Sequence, residues 1–73
     1  MRAHRDTERV LSALEPGDDV GIVRGNVTTY GTVTEIDLDG IEVRYPNGET
    51  ETVRVTSATR HDRVSPPQLE VAA

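Results

Sequence analysis

The sequence predicts a mostly β protein, a small five-stranded barrel preceded by one short α-helix. Helical spacing of apolar residues is confined to the first fifteen residues, and short segments that alternate apolar and polar side chains follow it. Glycine-containing turns separate these segments, at Gly25-Asn26, Asp39-Gly40 and Asn47-Gly48. Closing such strands into a barrel removes the exposed edges of an open sheet.

The predicted helix covers residues 6–15. Asp6 and Thr7 are suitable N-caps, and Pro16 ends the helical pattern. The apolar residues at helical spacing are Val10, Leu11 and Leu14. A helix of two to three turns is unstable alone, so we expect this side to pack on the barrel.

The first two strands are predicted at Asp19–Arg24 and Val27–Asp37. Gly31 lies within the second strand, where an interior glycine is typical of a bulge or a sharp bend. The alternation then breaks, and a bulge near Thr34–Glu35 is expected to return Ile36 to the core side.

The next strands are predicted at Ile41–Tyr45 and Glu51–Thr56, followed by a single 3₁₀ turn at Ser57–Thr59. Arg60–Val64 is expected to add a short closing strand. The chain thus divides into an N-terminal arm and helix (1–15), the barrel (16–64) and a flexible C-terminal tail (65–73).

The 73-residue chain has no Cys and a net charge of −5, and all eight of its cations are Arg. A single small domain without disulfides or thiolate metal sites is expected, with no cofactor. This composition resembles that of proteins from salt-loving archaea, with a GC-rich bacterium as the alternative. The N-terminus has no apolar run, so a cytoplasmic location is expected.

Residues 16–56 also resemble a known group of domains. The segments that carry the resemblance are Pro16-Gly17-Asp18-Asp19-Val20, Tyr30-Gly31-Thr32-Val33-Thr34-Glu35-Ile36, Ile41-Glu42-Val43-Arg44-Tyr45-Pro46-Asn47-Gly48-Glu49 and Glu51-Thr52-Val53. They are similar to SH3-like barrels of the Tudor and KOW type. The resemblance implies an SH3-like fold and a binding module rather than an enzyme. Methyl-binding Tudor domains use a cage of three or four rings, and only Tyr30 and Tyr45 match it here.

KOW-type domains carry a basic loop for RNA, but residues 16–64 contain five Arg and nine carboxylates, a net charge of −4. The candidate binding residues are the two aromatics and three Arg of the barrel, Tyr30, Tyr45, Arg24, Arg44 and Arg54. Tyr45 is on the inward side of its strand and Tyr30 is expected to be more exposed. If Arg44 faces Arg54 or Thr52 across the third turn, Glu42 and Glu51 offset the charges, and these Arg are structural.

Two acidic features have weaker functional interpretations. Asp18, Asp19, Asp37 and Asp39 lie in pairs at turns, which is typical of solvated loops and less so of a Ca²⁺ or Mg²⁺ site. The pair His61-Asp62 has no nucleophile in a suitable motif, so a loop pair is favoured over a catalytic one.

The sequence therefore favours a non-enzymatic module that binds a protein partner, within a larger complex. A nucleic-acid-binding barrel that uses exposed Arg residues and a Tyr is the first alternative. A structural homo-oligomer, assembled through strand edges or the helix, is the second. No membrane partner is expected.

Overall fold

The structure is a computed structural model that describes residues 2–38, 40–60, 62 and 64–72, with only the backbone of residues 2–6. It is mostly β, with one helix and one six-stranded sheet. The elements are α1 (Arg2–Ala13), β1 (Asp19–Arg24), β2 (Val27–Asp37), β3 (Gly40–Arg44), β4 (Thr50–Val53), β5 (Val55–Thr59) and β6 (Gln68–Val71).

The strands lie in the order β4-β3-β2-β1-β6-β5. Every neighbouring pair is antiparallel except β1 and β6, which are parallel. The barrel is not closed, because no ladder joins the two outer strands β4 and β5. A hydrogen bond of 3.2 Å from the Ala72 amide, just after β6, reaches the carbonyl of Arg54, the residue between β4 and β5.

The core lies on the concave face of this curled sheet. The strands contribute alternate apolar residues to this core. Leu14, just after the helix, also packs into it. The buried residues are Leu14, Val20, Ile22, Val33, Ile41, Val43, Val53, Ala58 and Leu69. These residues include aliphatic side chains that were predicted to face inward. They are Val20 and Ile22 in β1, Ile41 and Val43 in β3, and Val53 in β4.

The helix starts earlier than the sequence indicated, at Arg2 rather than near residue 6. Thr7 therefore lies inside α1 and does not cap it. Its hydroxyl oxygen instead accepts a hydrogen bond of 3.1 Å from the Ala58 amide in β5. The expected packing of the helix on the sheet is confirmed, since Val10 and Leu11 lie against the core.

The bulge of β2 occurs where the sequence placed it, and β3 comes close to the strand at Gly31. A Cβ at Gly31 would lie 2.9 Å from the Arg44 carbonyl oxygen and would also collide with Val43, so β3 can approach only a glycine here. The register of β2 on β3 shifts between Val33 and Glu35. Ile36 returns to the side of Ile41, yet it stays 42 % exposed because it lies near the end of the sheet.

The expected flexible tail contains a strand. Gln68–Val71 forms β6, inserted between β1 and β5, and the Leu69 side chain is fully buried. The expected closing strand at residues 60–64 is wrong for Arg60, Asp62 and Val64, which lie outside any strand. The strand β6 is stabilised by pairing with β1 and β5, which are distant in the sequence. The local sequence pattern does not reveal such pairing.

The fourth predicted strand is in fact two strands. Arg54 interrupts it, so that β4 pairs with β3 while β5 turns away to pair with β6. Ser57–Thr59, expected as a 3₁₀ turn, belongs to β5. The result is six strands instead of the five that the sequence predicted.

Candidate functional site

An open groove of about 580 Å³ lies on the surface of the sheet. Its lining residues come from the first three strands, from the β3–β4 turn and from the segment before β6. They are Asp19, Tyr30, Gly31, Thr32, Arg44, Tyr45, Pro46 and Pro66. On β2, Tyr30 and Thr32 alternate with the buried Gly31 and Val33, which directs them away from the core.

One row of outward-facing side chains in the groove crosses three strands of the sheet. Thr32 is paired with Asp19 of β1 on one side and with Arg44 of β3 on the other. The Thr32 hydroxyl donates a hydrogen bond of 3.1 Å to Asp19 Oδ1. Within the described part of the chain, Arg44 has no carboxylate oxygen within 4 Å, so its exposed guanidinium is available to a ligand.

A second row lies beside the first, at the next outward position. Gly21 of β1 is paired with Tyr30 of β2 and with Gln68 of β6. The Gln68 amide occupies the space that a side chain at Gly21 would need, 2.8 Å from the position of a Cβ. The Tyr30 side chain is 53 % exposed in this row, so a large part of its aromatic surface faces solvent.

Two prolines complete the groove. Pro46 follows Tyr45 at the start of the β3–β4 turn, which is closed by a 2.9 Å hydrogen bond from the Gly48 amide to the Tyr45 carbonyl. Pro66 precedes β6, where the neighbouring Pro67 carbonyl accepts a bond of 2.9 Å from the Gly21 amide. Backbone bonds to the sheet thus support both prolines.

Tyr45 connects the groove to a polar bridge at one end of the core. Its hydroxyl donates a hydrogen bond of 2.7 Å to Glu51 Oε1, and Arg24 donates one of 2.5 Å to Glu51 Oε2. Arg24 and Glu51 share the inward phases of β1 and β4, which are separated by two strands in the sheet. The bridge therefore joins opposite sides of the curled sheet.

The bridge shifts the pKa of each of its three members. The hydrogen bond from Tyr45, and then that from Arg24, lower the pKa of Glu51 below its usual value. Burial raises the pKa of Tyr45, and its hydrogen bond to Glu51 raises it further. The bond to Glu51 also raises the pKa of Arg24. The bridge thus favours the charged forms of Glu51 and Arg24 and the neutral form of Tyr45.

The structure brings together three of the five predicted binding residues, Tyr30, Arg44 and Tyr45. Arg24 reaches them only through Glu51, and its guanidinium is already paired. Arg54 lies apart, in a smaller depression of about 210 Å³ that also includes Leu11, Ile36 and the fully exposed Leu38. The expectation that Arg44 faces Arg54 or Thr52 is wrong, because Arg44 is paired with Thr50.

Sequence reasoning missed part of the groove and the centre of the bridge. It did not select Pro46, and Pro66 had been placed in the flexible tail. Asp19 had been considered only as part of an acidic loop. Glu51 had a detectable signal, because it shares the inward phase with Val53 and is half-buried, as a residue with a specific polar partner would be.

The other acidic candidates make local hydrogen bonds. Asp18 accepts one from the Glu15 amide and Asp37 one from the Leu38 amide. The Asp62 carboxylate accepts bonds from the amides of Val64 and Ser65, at 2.8 and 2.6 Å. Residues 39 and 61, the other members of these acidic and His–Asp pairs, lie outside the described residues.

Among the described residues, no helix is long and apolar enough to cross a membrane. No known protein family, curated protein or solved structure matches the chain. The groove itself therefore provides the starting point for a function.

Proposed function

We propose that the chain is a non-enzymatic protein-binding module of the SH3-like kind, whose groove holds an extended segment of a partner polypeptide. The observation that carries the proposal is that Tyr30, Tyr45, Pro46 and Pro66 line the same groove as Arg44, which forms no ion pair with the described residues. We also propose that its fold is related to SH3-like barrels of the Tudor and KOW type.

The groove has the contacts that such a segment needs. Tyrosine and proline rings present flat apolar surface and lose little conformational entropy when they bind. A polypeptide in the polyproline II conformation packs well on such rings, since it is already extended before binding. Arg44 adds a charge-assisted contact that favours a carboxylate in the ligand.

The floor of the groove is built from paired strands that are backed by the core, which favours a preformed site. It consists of the paired strands β1, β2 and β3, which carry Val20, Val33 and Val43 on their buried side. Tyr45 is held by Glu51 on one side and packs against the core on the other. A preformed site of this kind avoids the cost of ordering the groove when the partner binds.

A single-stranded nucleic acid is the second candidate ligand. The exposed ring of Tyr30 beside the groove cation Arg44 favours it, because bases stack on aromatic rings. The charge around the site favours the polypeptide. Asp19 lies in the same row, Arg24 is paired with Glu51, and residues 16–64 carry a net charge of −4, from five Arg and nine carboxylates. A phosphate backbone needs several cations aligned along its path.

The experiment is a selection of random peptides against the immobilised chain, followed by affinity measurements on the selected peptides. Tyr30→Ala and Arg44→Gln should each weaken binding about tenfold or more, as expected for central aromatic and Arg contacts. The matched control is Arg54→Gln, which removes an exposed Arg on a different part of the surface and should leave the affinity unchanged.

Two results would contradict the proposal. One is the absence of any enriched peptide while the chain remains folded, as judged by circular dichroism. The other is enrichment of peptides whose affinity is insensitive to Tyr30 and Arg44. Retardation of single-stranded RNA that depends on Arg44 and weakens with salt would support the second candidate instead.

A further inference from the structure

The row Asp19–Thr32–Arg44 sets a charge pattern on the floor of the groove. Because Thr32 is paired with both charged residues, Asp19 and Arg44 are separated by two strand spacings. Neighbouring strands lie about 4.8 Å apart, so the two Cα positions are about 10 Å apart. Among the described residues, Arg44 makes no ion pair with Asp19, whose carboxylate accepts a hydrogen bond from Thr32 instead.

Both ends of the row retain capacity for a ligand. Arg44 is exposed and has no carboxylate within 4 Å among the described residues. The Thr32 hydroxyl bonds only to Oδ1 of Asp19, which leaves its Oδ2 free to accept from a cation. A ligand that lies across the strands therefore meets a cation over β3 and an anion over β1.

We infer that the groove selects an extended segment in which one acidic and one basic side chain lie three residues apart. This inference rests on the proposed function and specifies its ligand. In a polyproline II helix each residue advances about 3.1 Å and three residues complete a turn. Side chains at positions i and i+3 therefore point the same way, about 9 Å apart, which fits the separation of Arg44 and Asp19.

A β-strand ligand does not fit this pattern. Its side chains at i and i+3 point to opposite faces, and those at i and i+2 are only about 7 Å apart. The groove lining supports a proline-rich segment as well, since Tyr30 and Pro46 provide the surface on which intervening ligand residues pack. The row thus selects the conformation of the ligand together with its charges.

The test uses fluorescein-labelled, acetylated proline-rich decapeptides that carry one Glu and one Arg. Their separation is two, three or four residues, and both orders of the charges are made. Fluorescence anisotropy gives the affinities for the full chain, and amide chemical shifts show which face each peptide contacts. We expect separation three to bind at least fivefold more tightly than two or four, in one of the two orders.

A reversal of the row provides the decisive control. The double variant Asp19→Arg/Arg44→Asp exchanges the charges at two exposed positions, so it should fold normally and prefer the opposite charge order. The variant Arg54→Gln should retain the original preference. Equal affinity for all three separations, or no binding up to 1 mM, overturns the inference.

These outcomes are distinguishable from failure of the proposed function. If the peptide selection yields ligands that depend on Tyr30 and Arg44 but show no charge spacing, the function holds and the inference is wrong. If every labelled peptide shifts residues around Arg54 and none around Thr32, both are wrong.

Discussion

Truncation of Leu69 to Ala tests whether the last residues of the chain are part of the core. Leu69 is fully buried in β6, between β1 and β5, whereas a flexible tail would leave it in solvent. Leu→Ala substitutions at fully buried sites cost about 2–5 kcal/mol, through lost transfer energy and the cavity left behind. The core of a domain this small rarely supplies more than about 3–5 kcal/mol.

Leu69→Ala should therefore remove most of the stability of the fold. A loss of about 3 kcal/mol corresponds to a decrease in Tm of about 12–24 °C for a domain of this size. The assay is urea and thermal unfolding followed by circular dichroism at fixed salt. Leu69→Val, which makes a smaller cavity, keeps the measurement possible if the Ala variant does not fold.

Leu38→Ala is the matched control, because it is the same change at a fully exposed leucine. Its Tm should stay within about 4 °C of the original value, since surface substitutions usually stay within about 0.5 kcal/mol. If Leu69→Ala and Leu38→Ala have equally small effects, β6 does not form in solution and the reasoning is refuted.

Three further predictions concern the backbone, the helix and the polar bridge. Gly31→Ala should cost about 1–3 kcal/mol in urea unfolding, because the new methyl group collides with Val43 and the β3 backbone. Thr7→Val should cost about 1 kcal/mol, because the Ala58 amide loses its acceptor. The stability supplied by ionised Glu51, whose pKa is lowered in the folded state, is present above the pKa of its unfolded form. This contribution to the free energy of unfolding should decline as the pH falls through the pKa of Glu51 in the folded state. Glu51→Gln removes the carboxylate and should therefore reduce the loss of stability at acidic pH.

Each of these predictions has a control within the chain. Thr29→Ala, at an exposed position of β2, controls for Gly31→Ala, and Thr28→Val controls for Thr7→Val. For the bridge, Glu49→Gln removes an exposed carboxylate in the adjacent turn and should leave the pH profile of unfolding nearly unchanged. An undiminished acid transition in Glu51→Gln, or full stability in Gly31→Ala, would contradict the corresponding contact.

The local parts of the fold could be predicted from the sequence because their signals are local. The bounds of β1 and β2 agree with the prediction, and so does the bulge between Val33 and Glu35. The alternation of apolar and polar side chains indicates which face of a strand is buried. Glycines indicate where the backbone turns or comes close to a neighbouring strand. The exposure of Tyr30 followed from the same alternation.

The site could be predicted only in part, for a physical reason. Alternation indicates that Tyr30 and Arg44 point outward, but register decides that they line the same groove. Arg54 matched the same outward pattern and lies elsewhere, because the chain leaves one strand there and begins another. Pro66 joins the groove only because β6 is inserted beside β1.

The sequence by itself determined the β character of the chain, its turns, its bulge and the inward faces of its first strands. Tertiary structure alone decided that the C-terminal segment is a strand, that the sheet has six strands without closing, and that Glu51 joins Arg24 to Tyr45. The physical reason is that each of these features depends on pairing between distant segments. Leu69 is stabilised by strands that begin about 50 residues before it and 14 residues before it, and no local pattern reports such partners.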